Sequence, residues 1–71
     1  MTTREKYQAA KDHYGLTDYQ VAKESGVPVS TLYDWVGRMA ETPNAGMSIG
    51  NMSRVAQALG ITLDELVGDM N

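Results

Sequence analysis

The chain has no cysteine, no phenylalanine, two prolines and one histidine in 71 residues. Without cysteine there can be no disulfides, thiolate metal sites or cysteine nucleophiles. His13 alone would leave a zinc ion to carboxylates for the rest of its shell, a poor structural site. No metal and no cofactor is therefore expected. No apolar run approaches the roughly 18 residues that a membrane span needs. The N-terminus carries charges but no apolar stretch of the signal-peptide kind. The expected setting is cytoplasmic and reducing, with no membrane partner. There is no Ser-His-Asp set, no Gly-rich phosphate loop and too little chain for a substrate pocket. An enzyme is not expected, nor a small-molecule substrate. Basic residues are also scarce, six against nine acidic ones, for a net charge of -3. Nucleic-acid binders are usually basic. The excess is local, because Asp64, Glu65 and Asp69 fall in a final segment without a base, and residues 1–60 balance.

A hydrophobic share of 42% is that of a folded chain. The length allows one domain, residues 1–71, with a core that is marginal at this size. Thr2 with Glu5 three residues on forms a capping-box pattern, followed by an apolar stripe at Tyr7, Ala10 and Tyr14. With Gly15 as its stop, this predicts a first helix over 3–14. Thr17 and Gln20 repeat the pattern, and Val21 and Ala22 give the apolar side of a short second helix ending at Gly26. A third helix is expected from Pro28 to Val36, stopped by Gly37. Residues 38–47, with Thr42, Pro43, Asn44 and Gly46, read as a loop. Ser48 can cap a fourth helix whose stripe is Ile49, Met52, Val55, Ala56 and Leu59, ended by Gly60. Thr62 and Glu65 make a third capping box before a stripe at Leu63, Leu66, Val67 and Met70. Nothing alternates with period two. The fold class is all-α, a compact domain of five helices.

The segment 17–36 carries the functional signal. One short helix ends at a glycine and the next begins almost at once, the layout of a helix-turn-helix. Gly26 can take positive φ in the turn. Ala22 is small enough for a close crossing. Val27, Leu32 and Trp35 can pin the second helix to the core, leaving Val29, Ser30, Tyr33 and Asp34 on the outer face, as a helix entering a major groove requires.

The run from Leu16 to Trp35 resembles the helix-turn-helix of phage repressor and Cro-type regulators. The stretch from Val55 to Leu66 is similar to the fourth and fifth helices of that family, so the resemblance covers about residues 3–68, a lambda-repressor-like domain. It implies a sequence-specific transcriptional regulator that binds a double-stranded DNA operator, commonly as a homodimer. By position, the base-reading residues would be Val29, Ser30, Thr31, Tyr33 and Asp34. The backbone contacts would be Thr17, Tyr19, Gln20, Lys23, Arg38, Asn44, Ser48 and Asn51, with Arg54 as a further candidate. The dimer contact is expected at the fifth helix, around Leu63, Val67 and Met70.

Several readings stand side by side. Asp18 puts an acid where the family approaches phosphate. Asp34 can accept from cytosine N4 or pair with Arg38 four residues on. Ser30 can read a base or, since Pro28 displaces the usual capping hydroxyl, cap a shorter helix. Trp35 reads as a core anchor rather than a stacking residue, and the loop 38–47 as a backbone contact, a dimer contact or a mobile insertion. The alternative to DNA binding is a protein-interaction module on the same fold. The acidic balance and the lack of a base in 28–36 favour that alternative. A continuous positive strip of Lys6, Lys23, Arg38 and Arg54 would favour DNA.

Overall fold

The computed structural model describes residues 2–67, and within them the chain forms five α-helices and no strand. Helix α1 spans Thr3–Tyr14, α2 Asp18–Ser25, α3 Val29–Glu41, α4 Ile49–Ala58 and α5 Leu63–Val67. All three capping boxes form. Thr2 accepts from the Glu5 amide and Thr17 from the Gln20 amide, while each partner side chain returns to the cap backbone. Thr62 and Glu65 exchange the same pair of bonds at 3.0 and 3.3 Å. These reciprocal bonds satisfy donors that a helix start otherwise leaves to water. They matter most for helices this short, because the first turn is the costly one to form.

The core is built from Tyr7, Val21, Ala22, Val27, Leu32, Trp35, Met39, Met52, Val55, Ala56, Leu59 and Leu66. Trp35 lies at its centre, fully buried, with its ring 4.8 Å from that of Tyr7 in an edge-to-face arrangement. Its indole N–H donates to the Ala45 carbonyl at 2.9 Å, so the one polar atom of the largest core residue is satisfied.

Three expectations need correction. First, α3 does not stop at Gly37. It continues to Glu41 and buries Met39. Glycine in a helix interior costs only about 1 kcal/mol relative to alanine. Burial of a methionine side chain is worth about 1.5–3 kcal/mol, so packing wins. The connection therefore covers residues 42–48. Second, Tyr14 and Ile49 leave their stripes, at 57% and 77% exposed. Tyr14 is the last residue of α1 and Ile49 the first of α4, and at these two helix ends the rest of the fold leaves the side chain uncovered. The buried face of α1 is instead Thr3, Tyr7 and Lys11. Third, Ser30 does not cap α3. Pro28 holds that position without a side-chain bond, and Ser30 lies inside the first turn. Met70 falls outside the described residues.

The connection after α3 is fastened at many points. Pro43 accepts from the Arg4 amide at 2.9 Å. The Asn44 side chain accepts from the Thr3 amide at 2.9 Å. Ala45 holds the Trp35 indole, and Gly46 accepts from Arg38 at 3.0 Å. A single connection thus caps the start of α1 and braces the last turns of α3.

Candidate nucleic-acid interface

Helices α2 and α3 are joined through Gly26, whose φ of 78° is left-handed. A side chain there would be strained, which is why the turn uses glycine. The Gly26 amide donates back to the Ala22 carbonyl at 3.0 Å, closing α2. The Ser25 hydroxyl donates to the Ala22 carbonyl and accepts from the Val27 amide, both at 3.2 Å. This polar residue therefore stitches the turn. Val27, Leu32 and Trp35 point into the core as expected.

With those side chains inward, α3 presents Ser30, Tyr33 and Asp34 to the outside, with Thr31 half-buried between them. Val29 differs, since it is half-buried and packs on the core. Tyr33 is 49% exposed. Asp34 accepts from Arg38 Nε at 3.0 Å, and both side chains are largely exposed. The second guanidinium bond, to Gly46, ties Arg38 to the connection as well.

The second set of residues frames this face. Thr17 and Gln20 are exposed but committed to their capping box. Tyr19 is half exposed, with the Lys23 ammonium 5.8 Å from its ring centroid. Ser48 caps α4 by accepting from the Asn51 amide at 3.3 Å. Asn44 has the structural task already described, and Arg54 lies exposed on α4. The residues of the two sets therefore split into those with free polar ends and those occupied in building the fold.

The acid at the start of α2 is not bare. Asp18 Oδ1 accepts from the Tyr7 hydroxyl at 2.8 Å and from the Lys11 ammonium in a close ion pair. Lys11 also lies over the Tyr7 ring, 4.8 Å from its centroid. Burial, then the hydrogen bond and the charge of Asp18, push the Tyr7 phenol far above the usual tyrosine value. The ion pair neutralises much of the charge that a lone carboxylate would place at this helix start. Lys11 is the residue that sequence reasoning missed. Its signal was present, because it lies four residues after Tyr7 on the same helix face, but a lysine is normally assigned to solvent.

Among the described residues no cluster of His, Cys, Asp and Glu could hold a metal ion. Among the described residues no helix is long and apolar enough to cross a membrane. Residues 1–44 match the family model of the homeodomain-like domain, a helix-turn-helix family. The matched stretch contains α1, α2 and α3 and ends within the connection after them. Neither the curated proteins nor the solved structures include a significant match to the chain.

Proposed function

This chain belongs to the homeodomain-like helix-turn-helix family, and we propose that it is a sequence-specific transcriptional regulator of the Cro/repressor type, the type that its stretches Leu16 to Trp35 and Val55 to Leu66 resemble. In this reading α3 enters the major groove of a double-stranded operator. The observation that carries it is the outer face of α3. Ser30, Tyr33 and Asp34 are exposed on a helix held from behind by Val27, Leu32 and Trp35. Rigid backing lets a helix present side chains to base edges in a fixed register.

Base reading falls to Ser30, Thr31, Tyr33 and Asp34, with Val29 offering a methyl contact at the inner edge. Positioning on the backbone falls to the start of α2, where the amides at Asp18 and Tyr19 have no intrahelical acceptor. Thr17, Tyr19, Gln20 and Lys23 surround that helix end. Ser48, Asn51 and Asn44 belong to the second approach, at the start of α4 and the connection before it. Arg38 supplies charge at the edge of the reading face. With so few cations, one copy binds weakly, and a homodimer on a two-fold operator provides the rest. Leu63 and Val67 of α5, half-buried on the core, form the contact between copies.

The test is a titration against random-sequence duplex over a salt series. Binding that weakens steeply between about 50 and 200 mM salt, with a log–log slope of several units, is the expected result. Absence of binding at the lowest salt would sink the DNA reading. The exposed Tyr19 and Tyr33, with no base on the outer face of α3 before Arg38, then favour a protein-interaction module.

A further inference from the structure

Asp34 and Arg38 form a two-residue reading unit, and we infer that Arg38 is a positioning residue that sets the base preference of Asp34. This rests on the DNA reading proposed above. The Asp34 side chain is 69% exposed, so by itself it would be free to rotate. Arg38 biases that freedom toward one orientation. Its Nε donates to Asp34 Oδ2 at 3.0 Å and its Nη1 donates to the Gly46 carbonyl at 3.0 Å. Gly46 is next to Ala45, whose carbonyl is held by the buried Trp35 indole at 2.9 Å. The carboxylate is thus referred, through a planar guanidinium and one short stretch of backbone, to the centre of the core.

Such bracing has two consequences at a DNA surface. A carboxylate only accepts hydrogen bonds, so it suits the exocyclic amino group of cytosine N4 and is repelled by acceptor edges such as guanine O6 and N7. It is also repelled by the surrounding phosphates, and the Arg38 charge offsets that repulsion. Arg38 can do both because its fork donates in two fixed directions at once. A lysine is a point charge on a flexible stem and cannot. Specificity at this position therefore belongs to the pair, with two of the five Arg38 N–H donors committed to Asp34 and Gly46.

The experiment is selection from a randomised duplex pool, followed by titration of the selected site and its single-base variants. Wild type, Asp34→Asn, Arg38→Gln, Arg38→Lys and the Asp34→Asn/Arg38→Gln double variant are compared, each first shown to be folded by circular dichroism. Wild type is expected to prefer cytosine at one position by roughly 5- to 100-fold. All four variants are expected to flatten that same position, the double variant no more than the singles. Two results overturn the inference and leave DNA binding intact. In one, Arg38→Lys retains the preference and Arg38→Gln only lowers affinity and the salt slope by about one unit, the mark of a phosphate contact. In the other, Asp34→Asn keeps every base preference of wild type. A wild type that binds no duplex at low salt overturns the DNA reading and this inference with it.

Discussion

Lys11 and Asp18 are unequal partners, and the inequality can be measured. The lysine side chain is 9% exposed and the aspartate 30%. Removing the carboxylate leaves a buried ammonium with no counter-charge, whereas removing the ammonium leaves a carboxylate that water and the Tyr7 hydroxyl still reach. Asp18→Ala is expected to cost about 3 kcal/mol or more, within the range for an orphaned buried charge. Lys11→Met is expected to cost about 1 kcal/mol, since its stem is replaced by a chain of similar length. A domain of this size has roughly 4–10 kcal/mol in total. Urea denaturation of the two variants should therefore separate their midpoints clearly, and equal midpoints would contradict the assignment. Tyr7 adds a pH signature. Its phenol titrates higher in the folded state than in the unfolded chain, where the ordinary value is 10.0. Above that pH the unfolded chain releases its proton and the folded one does not. The Tyr7 contribution is thus complete below pH 10 and declines by about 1.4 kcal/mol per pH unit above it. Tyr7→Phe should remove that alkaline slope in stability measured from pH 9 to 11, whatever it does to the midpoint at neutral pH.

At the scale of the element, α3 offers a simple gain. Gly37 lies in the helix interior, exposed, with a normal helical backbone and open space where a Cβ would be added. Gly37→Ala should stabilise the domain by about 0.5–1 kcal/mol, a rise in melting temperature of roughly 2–8 °C. An unchanged or lower melting temperature would mean that this glycine has a task beyond chain continuity. The same residue shows where the sequence was legible and where it was not. The five helices, the three capping boxes and the inward set Val27, Leu32 and Trp35 follow from local signals, because capping boxes and three-to-four spacing act over a few residues. The end of α3 does not, because Met39 pulls the helix past Gly37 through contacts that only the assembled core supplies. Tyr14 and Ile49 fail for a related reason, since what covers the terminal residue of a helix is decided by the tertiary fold. At the interface, the face of α3 could be read from its spacing except at Val29, which packs on the core. The second tasks of Asn44, Arg38 and Asp18 could not, because their partners Thr3, Gly46 and Lys11 are set by the tertiary fold.

For the molecule as a whole, the net charge of -3 makes association between copies part of the proposed function. Self-association should appear as a concentration-dependent mass in sedimentation equilibrium. Val67→Asp should abolish it and steepen the protein concentration needed for operator binding, while Leu66, fully buried one residue away, keeps α5 on the core. A Val67→Asp variant that sediments like wild type would place the contact elsewhere. The connection of residues 42–48 has a consequence of its own for timing. The amides of Thr3 and Arg4, at the frayed start of a helix, would ordinarily exchange with solvent deuterium almost at once. Here they are locked by Asn44 and Pro43. These two protons thus become a clock at the start of α1 for opening of the connection at Pro43 and Asn44.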